Sequence, residues 1–199
     1  MQTSTDTQQR ILDSARELIY SRSYADVGVA AICEHAGVKK GSFYHFFPSK
    51  RELTLEVLDQ YYLDFKHNLV ERAFAQDIAP LARITRFGRL AYTFQKQMLG
   101  DTGIVLGCPF GNLASEMATQ DESIRSKIEK IFSNLQHGFR TVLNDAIAAG
   151  EVQNINVAAT AQAMLAYFEG VMLMAKTQND VEVLAQLLPA MNNIRINST

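Results

Sequence analysis

The chain has 199 residues, 47% of them hydrophobic and 20% charged, with no tryptophan and a formal net charge of −2. This length allows one or two domains with a substantial core, and the composition is that of a folded globular protein, not a disordered one. The near-balanced charge excludes a polycation that coats nucleic acid over its whole surface, so any DNA contact has to come from a local basic cluster.

The first 52 residues carry seven Lys/Arg against six Asp/Glu, and the remainder twelve against fifteen, a mild asymmetry in the direction of a DNA-facing head. Cys33 and Cys108 are too few and too widely spaced for a disulfide framework or a Cys-rich zinc site, which predicts a reduced, cytoplasmic protein with no metal and no cofactor. The opening MQTSTDTQQR lacks the apolar core of a signal peptide, and no run of about 18 apolar residues is found, so no membrane association is expected.

Ile11, Ala15, Leu18 and Ile19 recur at helical spacing and predict a first helix, with Thr5 or Thr7 as its N-cap and an end near residues 21–24. A short second helix is predicted over about 29–36, between Gly28 and Gly37, the latter suited to a left-handed C-cap. A third runs over about 40–47 and has to stop before Pro48, because proline disfavours helical geometry in the residue before it. Ser49-Lys50-Arg51-Glu52 reads as a capping box that starts a fourth helix, continuing to about Phe74.

Beyond Pro80, Ile84, Phe87, Ala91, Phe94 and Met98 line one face of a fifth helix closed by Gly100. Pro109 suits the first turn of a short sixth helix ending near Ala118, and Asp121 caps a long seventh that carries Ile124, Ile128, Ile131, Leu135, Phe139 and Val142 and ends at Gly150. Asn156 caps an eighth helix to about Lys176, and Asp180 a ninth to about Asn193. Strand-like alternation and repeats are absent, so the expected fold class is all-α with about nine helices. The eighth helix is apolar or small on nearly every side, which asks for a partner as well as a core. A two-fold dimer built on the eighth and ninth helices supplies one.

Residues 28–52, GVAAICEHAGVKKGSFYHFFPSKRE, place two short helices on either side of a tight turn at Gly37 and Val38. This is helix-turn-helix geometry, in which the second helix enters the major groove. Within it, AGVKKGSFYHFFPSKREL resembles the head signature of the tetracycline-repressor (TetR) family, commonly AGVSKGTLYHYFPSKEEL or close to it. The likeness extends over about residues 7–60, and the rest of the chain is similar only in its succession of helices.

The resemblance implies a DNA-binding domain over 1–52 and a ligand-binding and dimerisation domain over 53–199, in a homodimeric repressor of double-stranded operator DNA that is released by a small-molecule inducer. It implies that Lys40, Ser42, Tyr44 and His45 lie on the recognition helix, with Tyr44 and His45 facing DNA and Lys50 gripping a phosphate. Gly28 and Val29, at the start of the helix before it, join the expected DNA contacts, as does Lys39. Family members usually carry Ser or Thr at Gly28 and Lys39, so two hydroxyl caps are lost here while Lys39 adds a second cation beside Lys40. Phe43, Phe46 and Phe47 are expected in the core, and Cys33 is read as a small core hydrophobe.

Cys108 stands in GCPFGN at the expected N-cap of the sixth helix. A helix amino terminus favours thiolate, the form that attacks electrophiles and oxidants. Two readings stand: a sensor cysteine, to which a family branch with a G-C-x-x-G-N segment adds weight, and a buried structural thiol. Phe87, Tyr92, Phe110, Asn112, Met117, Phe139, Phe168 and Met172 are candidate inducer-pocket residues by the resemblance, and equally candidates for plain core. No G-x-S-x-G elbow, H-E-x-x-H pair, phosphate loop or dinucleotide fingerprint is present and the four histidines are scattered, so an enzyme is not expected. The alternative to a regulator is a helical ligand-binding or protein-docking module that no longer binds DNA.

Overall fold

The computed structural model describes residues 4–198. Among them the fold is all-α: nine helices and no strand, with one isolated bridge between Ile155 and Asn197. The helices are α1 (Ser4–Ser21), α2 (Val29–Ala36), α3 (Lys40–Phe46), α4 (Lys50–Phe65), α5 (Pro80–Thr102), α6 (Pro109–Met117), α7 (Glu122–Ala148), α8 (Val157–Gln178) and α9 (Glu182–Leu187). A π-helical turn, Lys66–Val70, and a last turn, Glu71–Ala73, carry α4 on to Phe74, and a 3-10 segment, Leu188–Asn193, carries α9 past Pro189.

Several stops and starts follow from single residues. Asn156 accepts the Ala159 amide at 3.0 Å, and Asp121 accepts those of Ser123 and Ile124 at 2.9 and 3.0 Å, so both predicted caps are made. Thr5 and Thr7 do not cap α1, which already runs from Ser4; the position ahead of it lies outside the described residues. Gly100 does not close α5 either. The helix continues to Thr102 and Gly103 ends it at φ 75°, a left-handed conformation that glycine adopts without strain.

The chain divides into two compact units. The first comprises the chain up to Leu63 together with Pro109–Glu129. Its core joins Ile11, Leu12, Ala15 and Leu18 of α1 to Ile32, Cys33 and Ala36 of α2, Phe43 of α3, Phe47, and Leu53 and Val57 of α4. The second comprises Asp64–Cys108 and the chain from Lys130 onward. At its centre Phe74, Phe87, Phe139 and Phe168 meet ring to ring, with centroids 5.1 to 5.5 Å apart.

The buried stripe of α5 departs from the expected one. Ile84, Phe87 and Ala91 are buried, but the next inward position is Gln95, not Phe94, which is 46% exposed. Gln95 is carried there by the i+4 step from Ala91, and its amide donates to the Gly107 carbonyl at 2.9 Å, which lets a polar side chain occupy a core position. The helix α8 is long and apolar enough to cross a membrane by length and composition. It is nevertheless a bundle helix: Ala161, Met164, Leu165, Phe168, Val171, Met172 and Ala175 form one buried stripe at helical spacing.

Candidate DNA-binding interface

Helix α2 ends at Gly37, at φ 64° and ψ 39°, where the Gly37 amide donates to the Glu34 carbonyl at 3.1 Å and the Val38 amide to that of Cys33 at 2.9 Å. These bonds close the tight turn that lets α3 start three residues later. A side chain at position 37 would strain this left-handed conformation.

The faces of α3 are set by its spacing. Phe43 and, one turn on, Phe47 are fully buried, and Phe46 packs against the same core. Phe47 itself is extended, at φ −129° and ψ 115°, as the residue before Pro48 is obliged to be. With that side fixed inward, Lys40, Gly41, Tyr44 and His45 face solvent, and Ser42 is half-buried. Tyr44 is 56% exposed, its ring edge-on to Phe43 at 5.2 Å; His45 meets Phe46 in the same way at 4.8 Å. A large aromatic side chain held outward by a packed neighbour is costly in water and suited to a base edge.

Gly28 and Lys39 occupy the N-cap positions of α2 and α3, and neither supplies a side-chain cap. Lys39 and Lys40 are both exposed, so two ammonium groups flank the unpaired amides that open α3, and their charge adds to that of the helix terminus. Val29 is half-buried against the head core while Gly28 is exposed.

The capping box at α4 is half made. Ser49 accepts the Glu52 amide at 3.2 Å, but the Glu52 carboxylate, instead of reaching back, is taken by the Arg51 guanidinium at 2.9 and 3.2 Å. Lys50 has partners within the protein: its ammonium donates to the Tyr24 carbonyl at 2.8 Å and the Val27 carbonyl at 3.1 Å, and lies 3.9 Å from the centre of the Tyr24 ring. Burial draws its pKa below the usual lysine value, against the opposing pull of Glu116. Tyr24 carried no sequence signal for this role, because nothing local links it to a lysine 26 residues on.

Two model families match the chain: "Bacterial regulatory proteins, tetR family" over residues 11–57 and "Tetracyclin repressor-like, C-terminal domain" over residues 80–191. The chain belongs to the TetR family. This regulator is 31% identical to the HTH-type transcriptional regulator of the lacX 3′ region of Lactococcus lactis subsp. lactis, over 90% of its own length and 88% of that relative's. It is 27% identical to the HTH-type transcriptional repressor NemR of Escherichia coli, over 96% of its length and 95% of NemR. A TetR regulatory protein from Rhodobacter sphaeroides, solved by crystallography, superposes with a TM-score of 0.83 at 28% identity, covering 94% of this chain and 98% of the other. TetR-family proteins are transcriptional regulators, and the helix-turn-helix reading of residues 28–52 stands on the same ground.

The second group of candidates in this TetR-family chain comes from residues beyond the helix-turn-helix. Cys108 directly precedes Pro109, the first residue of α6, and so holds the N-cap position as the sequence suggests. Cys108 is 5% exposed, and its thiol lies beside the Glu169 carboxyl of α8. Burial pushes Glu169 up to about 7, the thiol contact opposing. Glu169 Oε1 is buried with no hydrogen-bond partner among the described residues. Glu169 was not legible as a neighbour of Cys108, since 61 residues of chain separate them.

Phe87, Phe139 and Phe168 share the aromatic cluster of the second unit, and Met172 is buried one turn beyond Phe168. Tyr92 is half-buried, its hydroxyl donating to Glu182 and accepting from Lys96, both at 2.8 Å. Phe110, Asn112 and Met117 belong to α6 in the first unit, where Phe110 is fully buried edge-on to Tyr61 at 6.5 Å and the other two are half-buried.

Proposed function

We propose that this chain is a cytoplasmic homodimeric repressor whose residues 1–52 bind operator DNA and whose residues 53–199 bind an inducer and dimerise. The observation that carries the reading is the division of α3: Phe43 and Phe47 are locked inward, which leaves Tyr44 and His45 outward beside the cations Lys39 and Lys40. In this reading Tyr44 and His45 contact base edges, while Gly28, Val29, Lys39, Lys40 and Ser42 meet the backbone. Lys50 spends two of its three N–H donors on the Tyr24 and Val27 carbonyls and offers the third to a phosphate.

Dimerisation through α8 and α9 is supported by two large apolar side chains that α8 turns outward, Leu173 at 63% exposure and Met174 at 47%. A dimer brings two recognition helices to successive major grooves about 34 to 36 Å apart, so a change of spacing by a few ångström releases DNA. NemR is by name a repressor, which favours repression for this relative of it. Release follows binding of an inducer in the second unit, among Phe87, Tyr92, Phe139, Phe168 and Met172, with Phe110, Asn112 and Met117 of α6 responding, or modification of Cys108 by an electrophile or oxidant. The place of Cys108 directly ahead of Pro109, at the opening of α6, supports the second route, because a helix amino terminus favours thiolate.

Selecting duplexes from genomic fragments with the purified protein, with and without N-ethylmaleimide, tests the reading. Enrichment of a two-fold-related site, with bound DNA released by the electrophile from wild type and retained by Cys108→Ser, is the expected result. No enrichment, as a docking module gives, contradicts it.

A further inference from the structure

The turn between α1 and α2 is held by two side chains distant from it in sequence. From one side the Lys50 ammonium, on the first residue of α4, takes the carbonyls of Tyr24 and Val27. From the other, the carboxylate of Glu116 takes the amides: Tyr24 N donates to Oε2 at 2.9 Å and Ala25 N to Oε1 at 2.6 Å. Asp26 N donates to Ser23 Oγ at 3.1 Å, a further side-chain bond to the backbone of this turn. Glu116 lies in the last turn of α6, one helical step from the buried Leu113 and two from the buried Phe110, which fix the helix that presents it.

We propose that Glu116 is a positioning residue through which α6 sets the placement of the DNA-binding head. The inference rests on the regulator reading above and adds a route to it. Two adjacent main-chain amides bound by one charged carboxylate make a short, directional tie with no slack, because both oxygens are used and the acceptor is ionised. The tied turn leads through Val27, fully buried in the head core, to Gly28, the N-cap of α2. A displacement of α6 is therefore delivered to α2 directly, without passing along α4. The start of α6 is the residue after Cys108, so an event at that thiol acts on the helix that carries Glu116.

Coupling between two sites is reciprocal. If α6 biases the head, DNA on the head has to bias α6, and no inducer is needed to see it. Hydrogen exchange is measured for the wild type and for Glu116→Gln, each free and saturated with the duplex selected above. Glutamine keeps one acceptor and turns an amide donor toward the second N–H. In the wild type, exchange slows several-fold on duplex addition both at Lys40–Phe46 and across α6. In Glu116→Gln the slowing at Lys40–Phe46 persists and that across α6 is lost, while Glu116→Asp, charged but too short to span both amides, falls between. A wild type whose α6 ignores the duplex overturns the proposal before any variant is made. A Glu116→Gln protein whose α6 slows as in the wild type overturns it as well. Failure of Lys40–Phe46 to gain protection in the wild type is a different result: it defeats the regulator reading, and the proposal with it.

Discussion

The ammonium of Lys50 sits 3.9 Å above the centre of the Tyr24 ring while donating to the carbonyl of the same residue at 2.8 Å. A lysine at the first position of a helix beside a recognition element invites assignment as a phosphate anchor alone. Here it also closes the loop that orients α2. Replacement by methionine keeps the stem and removes the charge, two hydrogen bonds and the cation–π contact. Equilibrium urea unfolding is expected to show a loss of about 1 to 3 kcal/mol. The slope of log affinity against log salt is expected to fall by up to about 0.9, the share of one phosphate.

Lys39 and Lys40 have the opposite profile, being exposed and outside the core. Lys39→Gln and Lys40→Gln should leave urea midpoints nearly unchanged, with stability effects within about 0.5 kcal/mol. Each should lower the salt slope by about 0.9 and weaken selected and scrambled duplexes alike, as phosphate contacts do. Salt-titrated gel shifts measure both.

Glu169 makes stability depend on pH in a defined direction. Its carboxyl titrates near 4.5 when unfolded and at about 7 in the folded chain, so the folded state holds its proton more tightly. The resulting stabilisation is complete below the unfolded value and is lost as pH rises through about 7, on the order of 3 kcal/mol at most. Glu169→Gln, neutral throughout, should remove that part of the decline in melting temperature between pH 5 and pH 8. The same substitution should remove an inflection near pH 7 in the rate at which N-ethylmaleimide alkylates Cys108, because a carboxylate formed beside the thiol disfavours the attacking thiolate. A rate profile identical in wild type and variant contradicts that effect.

Gly138 faces the aromatic cluster of the second unit at close range. A Cβ there would lie 2.9 Å from Phe74 Cε2 and 3.2 Å from Cδ2, on a ring already stacked on Phe87 and edge-on to Phe139. Gly138→Ala forces that ring to move, and the gain in helix propensity of about 1 kcal/mol does not offset overpacking that costs about 1 to 3. Urea unfolding should show a net loss of stability.

The sequence made most of the scaffold legible because its signals are local. Gly37, Pro48, Pro109, Asp121 and Asn156 each act within a few residues, and the elements they bound appear where expected. The long stripe of α7, from Ile124 to Val142, is buried throughout. Errors arose where helix geometry overrides side-chain type. At α5 the inward step fell on Gln95 and left Phe94 in solvent, and Gly100 was tolerated inside a helix that Gly103 ended. At the candidate site, the outward set Lys39, Lys40, Tyr44 and His45 was readable from the motif and from the three phenylalanines behind it. The clasp of Glu116 on Tyr24 and Ala25, the proximity of Cys108 to Glu169, and the commitment of Lys50 to Tyr24 were not, because they join residues 26 to 92 positions apart and depend on tertiary packing.

The most direct test of the account is the affinity of Tyr44→Ala and His45→Ala for the selected duplex and for a scrambled one of equal length, at one fixed salt concentration. Contacts to base edges predict that each variant loses about 1 to 3 kcal/mol on the selected duplex and almost nothing on the scrambled one, with folding unaffected. Equal affinity of wild type and variants for the selected duplex, or an equal loss on both duplexes, contradicts the assignment of α3 as the helix that reads DNA.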